Sequence, residues 1–295
     1  MVIALLESAL FAPFGAAFML RALLGGVLVA ALCAVVGTWV VARGMAFLGE
    51  ALAHGMLPGV ALATLLGLPP VLGAAVSAAG MSAAIGALSR RRLSDDTAIG
   101  IIFAGMLALG VIIVSRSRSF ATDLTAILFG DVLAVRADDL ALVGSALAAT
   151  LVIAIAFHRP FVALAFDPAK AATLRLRPRL ARTVLVGLVT LAVVASYQAV
   201  GTLLVVALLL APAATARHWT HRIPQQMALA AALGAVWAYA GLLVSWHAGT
   251  AAGASIALTA VTGFLASLAL RPAVVALRRP REHPVPAPRP GKVIP

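Results

Sequence analysis

Long apolar segments separated by short polar connections make up most of this chain. A bilayer core about 30 Å thick needs roughly 20 apolar residues per helical span, and about nine segments reach that length. The pattern therefore predicts an all-α, polytopic membrane protein with about nine transmembrane helices, and about eight to ten crossings fit the chain length. The predicted spans are 18–42, 45–67, 70–89, 96–114, 138–157, 180–198, 199–216, 224–246 and 251–271.

Only the two ends of the chain depart from this pattern. Residues 1–17 carry Glu7 where a cleavable leader would be basic, and apolar sequence continues after them, so they are predicted to lie at the membrane interface. Residues 18–271 form one transmembrane domain. Residues 272–295 alternate proline with basic residues, which predicts a disordered cytoplasmic tail against anionic membrane lipids.

The positions of the basic residues predict the orientation of the chain in the membrane. The composition is 63% hydrophobic and 11% charged, with a formal net charge of +12. That charge would suggest nucleic acid in a soluble protein, but here the basic residues lie in alternate connections, and no nucleic-acid partner is expected. By the positive-inside rule the crowded side is cytoplasmic, which places the amino terminus outside. The few Lys and Arg residues on the other side are Arg21, Arg116, Arg118 and Arg136.

Glu50 and His54 stand together inside the second span. Residues four apart on a helix share one face, with Cβ atoms about 5–6 Å apart. A carboxylate with an imidazole suits divalent manganese, iron or zinc, and ionisable residues within spans usually mark a transport pathway. The alternative is a pair that neutralises itself and fixes helix packing. Pro58 removes the helical donor to the carbonyl of His54, which predicts a kink and a carbonyl free to face an ion or water.

Two ligands from one chain do not fill the coordination shell of a metal ion. A homodimer with this helix on its twofold axis would supply two carboxylates and two imidazoles, which balance one divalent cation. The metal is then transported cargo, and no permanently bound cofactor is expected.

The other histidines and the single cysteine carry weaker signals. His218 and His221 flank Trp219 at a predicted cytoplasmic edge, a setting typical of an interface anchor. Metal binding is the weaker alternative there, because two imidazoles three residues apart need further ligands that the loop does not provide. Cys33 has no partner within the chain, which excludes an internal disulfide. Small residues recur at helical spacing and predict close helix packing, at Gly55 and Gly59 and along the face of Gly73, Ser77 and Met81.

The chain lacks the residues that hydrolyse a nucleotide. Its two lysines, Lys170 and Lys292, stand outside any GxxxxGK[ST] motif, and HExxH is absent, so the chain is predicted to be a transport subunit and not an enzyme. Energy would come from ATP hydrolysis on a separate chain. The alternative is a stand-alone proton-linked carrier, which normally places more acidic residues within the membrane than this chain offers.

Two connections are candidates for coupling and gating. In the loop at about 160–178, Asp167 and Pro168 begin a short amphipathic helix that ends before Pro178, which suits docking of a partner ATPase. A solvated basic loop is the equally weighted alternative. The segment 122–135 is too short to cross the bilayer, so its carboxylates at Asp123 and Asp131 mark a candidate extracellular gate.

Five ordered stretches carry a resemblance to a known family: FLGEALAHGMLPGVALA, DDTAIGIIFAGMLALGVIIVS, DLTAILFGDVLAV, AFDPAKAATLRL and QAVGTLLVVALLLAPAATA. Across about residues 15–271 the chain resembles the membrane permease subunits of bacterial metal-ion ABC importers, which carry zinc, manganese or iron. The resemblance implies a homodimer in the plasma (inner) membrane, bound to two cytoplasmic ATPase subunits and supplied by an extracytoplasmic metal-binding protein.

The resemblance also assigns residues. It implies that Glu50 and His54 form the intramembrane metal pair, with Glu50 one methylene longer than the aspartate usual in the family. It implies ATPase coupling for a further set in the cytoplasmic loop, namely Asp167, Pro168, Ala169, Lys170, Ala172, Leu174 and Leu176.

Overall fold

A computed structural model describes residues 10–89, 94–115, 130–166 and 177–278. Every regular element in these ranges is helical, with short 3-10 turns at Ala12–Gly15 and Val132–Ala134. The α-helices are α1 (Ala17–Ala42), α2 (Ala46–Gly55), α3 (Leu57–Leu65), α4 (Pro70–Ser89), α5 (Asp95–Val114), α6 (Ala137–Ala156), α7 (His158–Phe166), α8 (Pro178–Val200), α9 (Thr202–Trp219), α10 (Ile223–Ala248) and α11 (Ala252–Arg278).

Nine helical segments within the described ranges are long and apolar enough to cross a membrane, which confirms the predicted fold class. The helices α2 and α3 together form one of these segments, and the short α7 is not among them. Each observed span begins and ends within three residues of its predicted bounds, apart from the extension of α11 to Arg278.

The spans form an inner and an outer group. More than half of the residues are buried in α1, in α2 with α3, in α8 and in α9, against a third or fewer in α4, α5, α6, α10 and α11. The inner helices contact one another and the outer helices cover them, so the outer helices supply most of the apolar surface available to lipid.

Contacts between helix ends show that successive spans alternate in direction. At one end, the guanidinium of Arg217 donates to the carbonyl of Val41, and Arg43 Nη1 donates to Leu164 O at 3.4 Å. At the opposite end, the rings of Phe18 and Trp246 lie 6.3 Å apart. The alternation brings Arg43 and Arg217 to one membrane face, as their positions in the sequence predict.

The junction between α8 and α9 is a single glycine. Gly201 has φ +78°, a left-handed conformation that residues with a Cβ rarely adopt, and it separates Val200 from Thr202. The second of the two spans therefore begins three residues later than the predicted 199, because periodicity alone does not place a turn inside a continuous apolar run.

Helices α3 and α4 cross at two glycines. A Cβ added to Gly59 would lie 2.0 Å from Gly73 O, and one added to Gly73 would lie 2.0 Å from Gly59 O. Only glycine permits this approach of two backbones, which confirms the predicted close packing of this face.

Several predictions fall outside the described residues: those for 1–9 and 279–295, for Asp123, and for the coupling residues Asp167, Pro168, Ala169, Lys170, Ala172, Leu174 and Leu176. They stay predictions.

Candidate metal-transport site

Glu50 and His54 lie on one face of α2, as their spacing predicts. His54 Nε2 donates a hydrogen bond to Glu50 Oε1 at 2.9 Å. Because a carboxylate only accepts, the proton sits on Nε2 and the Nδ1 lone pair is left for another partner. The side chains of His54 and Glu50 are 20% and 40% exposed, so the pair is open on one side.

The open side of the pair faces an apolar groove of about 580 Å³ between α2, α9 and α11. The carboxylate and the imidazole are the only ionisable groups among its lining residues. The lining residues contributed by α9 and α11 are Leu203, Val206, Ala207, Leu210, Ala211, Ala214, Ala254, Ala257, Leu258, Val261 and Phe264.

The pair lies inside a span, at the level of the middle of α9. A Cβ added to Gly49, the residue before Glu50, would lie 2.5 Å from Leu209 Cδ2, and Leu209 is close to the midpoint of α9 (Thr202–Trp219). A charged group at this depth is costly unless it pairs or lines a pathway, so its position favours a role in transport.

A break in the helix ends α2 directly after His54 and Gly55. Pro58 stands in the first turn of α3, which confirms the predicted kink. The expectation of a free carbonyl at His54 is wrong, because the Met56 N–H points at it as a helix cap. The carbonyl of Gly55 instead accepts a hydrogen bond from Ser77 Oγ of α4 at 2.9 Å. The break is thus closed by polar contacts within the protein.

Phe103 of α5 supports the histidine from the other side. Its ring centroid lies 6.4 Å from that of His54 and 5.6 Å from that of Phe47. These contacts restrict the imidazole to the side that faces the groove.

Within the part of the chain that the structure describes, no third His, Cys, Asp or Glu joins the pair. One chain therefore offers a cation one carboxylate and one imidazole there.

The candidate gate is only partly described. Asp131 is exposed and precedes the turn Val132–Ala134. Its neighbour Gly130 packs on the α8–α9 junction, where an added Cβ would lie 2.4 Å from Gly201 N. Asp131 therefore lies at the opposite end of the bundle from Arg43 and Arg217, and its role as a gate stays a prediction.

His218 is not a lining residue of the groove, but it contacts two residues that are. Its Nδ1 donates to Ala214 O at 2.7 Å, and its ring lies 6.1 Å from that of Phe264. Both Ala214 and Phe264 line the groove, whereas His221 is exposed beyond the end of α9. The sequence predicted the same role, an interface anchor, for both histidines. Their surroundings differ only because α9 packs against α11 at His218 and not at His221.

The fold and the candidate site define a multi-pass membrane protein in which Glu50 and His54, inside one span, face a groove between three helices. The chain matches the model of the ABC 3 transport family over residues 16–271. It is 39% identical over 248 residues to the manganese transport system membrane protein MntC of Halalkalibacterium halodurans, a match covering 84% of this chain and 85% of that protein. Identity is 34% over 262 residues to a probable iron transport system membrane protein of Haemophilus influenzae, covering 88% and 96%.

A solved structure agrees with these relatives. The chain resembles PsaBC from Streptococcus pneumoniae in complex with Fab, with a TM-score of 0.78 and 33% identity, over 95% of this chain and 100% of that chain. A putative metal-chelate type ABC transporter in an inward-facing conformation, at 15% identity and a TM-score of 0.73, shares the fold.

The chain belongs to the ABC 3 transport family. It is the membrane permease subunit of an ATP-driven importer of divalent metal ions, a transport component and not an enzyme, as predicted. Family membership also implies ATPase and substrate-binding partner proteins, and it does not favour the alternative of a stand-alone proton-linked carrier.

Proposed function

We propose that this permease imports manganese and that Glu50 and His54 hold the cation during its passage. The observation that carries the proposal is the placement of this pair inside a span, open to the groove between α2, α9 and α11. Relatives support manganese as cargo, among them MntC of Halalkalibacterium halodurans and the manganese import system permease protein ScaB of Streptococcus parasanguinis, at 39% and 37% identity.

The donor types support manganese or ferrous iron as the cation. Glu50 offers a carboxylate oxygen and His54 an imidazole nitrogen, and Oε1 and Nε2, at 2.9 Å, are close enough to bind one cation together.

Binding requires the proton between the two ligands to move. A metal ligand must offer a lone pair, and Nε2 donates its hydrogen to Glu50 in this structure. Transfer of the imidazole proton to Nδ1 frees the Nε2 lone pair without changing the charge of the ring. Cation binding thus replaces a hydrogen bond with two metal bonds.

Iron is the second candidate cargo. The chain is 33% identical over 267 residues to the chelated iron transport system membrane protein YfeD of Yersinia pestis. Ferrous iron and manganese share the same preferred donors, so the pair accepts either and cellular supply decides between them.

A homodimer would complete the site. The carboxylate of Glu50 is 40% exposed toward an apolar groove, and the rim of that groove exposes 64% of Leu258 and 44% of Val261. A carboxylate that faces lipid within a span is costly, whereas a second copy would cover it and add a second Glu50 and His54. Two carboxylates then balance one divalent cation.

The proposed orientation follows the basic residues. The end with Arg43 and Arg217 is cytoplasmic, and the opposite end with Asp131 faces the outside of the bacterial plasma membrane. Two ATPase subunits would dock at about 160–178, beside α7, while an extracytoplasmic metal-binding protein would deliver the cation near the candidate gate at Asp123 and Asp131. The basic tail at 272–295 would contact anionic lipids.

Uptake of radioactive manganese by proteoliposomes tests this function. The vesicles contain the permease with its ATPase and its binding protein. Glu50→Gln keeps the size of the side chain but removes its charge, so we expect ATP-dependent uptake to fall at least about 100-fold, whereas Glu50→Asp keeps a carboxylate and retains most uptake. Asp138→Asn, at an exposed position on α6, is the matched control. Uptake that is indifferent to both ATP and Glu50 would contradict the proposal.

A further inference from the structure

His218 lies just beyond the groove that holds the proposed metal pair, toward the membrane end with Arg43 and Arg217. It is one helical turn beyond Ala214 on α9, about 6 Å along the helix axis. Its ring also packs edge-on against Phe264 of α11, at 6.1 Å between centroids and 69° between planes. Because Ala214 and Phe264 are groove-lining residues, the imidazole borders the groove on the side of the basic membrane end.

The hydrogen bond to Ala214 fixes which ring nitrogen carries the proton. A backbone carbonyl only accepts, so Nδ1 at 2.7 Å from Ala214 O must be the donor. The neutral ring then keeps its lone pair on Nε2, and no described residue donates to that atom. Histidines that bind metals usually present this arrangement, with one nitrogen held by a carbonyl and the other free.

We propose that His218 Nε2 is a second, weaker binding position for the divalent cation, which receives the metal from Glu50 and His54 before release at the cytoplasmic face. This inference rests on the proposed function of that pair. It assigns to His218 a direct contact with the cargo, which the sequence offered only as the weaker alternative to an interface anchor.

The chemistry of the two positions makes the second one suited to release. At the first, a carboxylate and an imidazole bind together, and the carboxylate contributes charge. At the second, a single neutral imidazole binds, so affinity falls as the cation moves inward, and a pathway must let its ion leave as well as enter. The neighbouring cation, Arg217, directs its guanidinium to Val41 O of α1.

Paramagnetic Mn²⁺ distinguishes the two positions directly. The full-length permease in lipid nanodiscs is titrated with Mn²⁺ alone, and pulsed electron paramagnetic resonance detects nitrogen bound to the metal. We expect a tight and a weak class of site in the native protein. The double variant Glu50→Gln/His54→Ala should keep only the weak class, still with a nitrogen coupling.

His218→Gln in that double background should abolish the remaining nitrogen coupling, since the amide still donates to Ala214 O but offers no imidazole. His221→Gln is the matched control, three residues away and exposed, and should leave the coupling intact. A coupling that survives His218→Gln, or a double variant that binds no Mn²⁺, would overturn the assignment of His218. Tight binding that survives Glu50→Gln/His54→Ala would instead overturn the proposed pair.

Transport kinetics distinguish two roles for His218, a ligand of the transported cation and an anchor of α9. In proteoliposomes with the ATPase and the binding protein, His218→Gln should lower the maximal uptake of Mn²⁺ about tenfold, within the range seen when groups supporting a metal are removed, with little change in half-saturation. His218→Asp restores a metal-binding oxygen and should recover most of the rate. Equal losses in the Gln and Asp variants would show that His218 only anchors α9.

Discussion

Ser77 joins α4 to the helix that carries the metal pair. Its hydroxyl donates to Gly55 O at 2.9 Å, and Gly55 follows His54 directly. The break between α2 and α3 leaves this carbonyl without its usual helical partner, and lipid offers none. The hydroxyl therefore holds the end of α2, and with it the position of the imidazole.

Replacing Ser77 with Ala should lower the free energy of unfolding by about 1 kcal/mol, since a partly buried carbonyl loses its donor. Thermal unfolding of the purified permease in detergent measures the change. The control is Ser145→Ala on α6, whose exposed hydroxyl bonds only to Leu142 O of its own helix. Equal effects of the two substitutions would show that Ser77 does not hold the break.

Much of the site at residue scale was predictable from the sequence. The four-residue spacing of Glu50 and His54 predicts their shared face, and Pro58 predicts the kink; the structure confirms both. The polar closure of the break was not predictable, because Ser77 comes from another helix. The surroundings of His218 were also not predictable, because they depend on how α9 packs against α11 in the tertiary structure.

Among the elements, α3 and α4 cross at a point where their two backbones approach each other directly. Each of Gly59 and Gly73 would place a new Cβ 2.0 Å from the carbonyl oxygen of the other. Atoms at that distance overlap, so the helices must separate to accept any side chain there.

Gly73→Ala should therefore destabilise the permease by about 1–3 kcal/mol, the usual cost of forcing extra volume into a packed interior. Gly80→Ala, on the same helix, is the control, because an added Cβ there meets nothing within 4 Å. We expect it to leave the protein as stable or to raise its stability by up to about 1 kcal/mol through helix propensity. A melting temperature of Gly73→Ala equal to that of Gly80→Ala would contradict the crossing.

Element bounds followed the apolar pattern closely because span length is set by the bilayer, which the sequence must match. The exception is the α8–α9 junction. Apolar residues continue on both sides of Gly201, so the pattern marks no boundary, and the left-handed backbone of this glycine makes the turn. The exact boundary between α8 and α9 is thus set by the backbone freedom of Gly201 and not by hydropathy.

At the scale of the whole molecule, the groove is the surface that needs a partner. It exposes Leu258 and Val261 beside the carboxylate of Glu50, whereas the site of one chain offers two ligands. The proposed homodimer covers this surface and completes the site in one step. The pairing of chains was suggested by the unfilled ligand shell, and the groove adds where the second chain would sit.

Cysteine cross-linking tests the placement of the second chain. The native Cys33 is fully buried, so it does not interfere. Leu258→Cys should form a disulfide-linked dimer in oxidised membranes, because residues near a twofold axis meet their own copies. Ile155→Cys on α6, at a position 75% exposed, should remain monomeric under the same conditions. Cross-linking at residue 155 but not at 258 would move the dimer interface to another face.

The glycine crossing also decides which parts of the molecule are able to move. Where Gly59 meets Gly73, no side chain lies between the two backbones. No change of rotamer can therefore make room for the helices to slide past each other. On the other side of the break, α2 borders a groove of about 580 Å³. We therefore expect α3 and α4 to move together as one rigid unit when the transporter opens to each membrane face in turn.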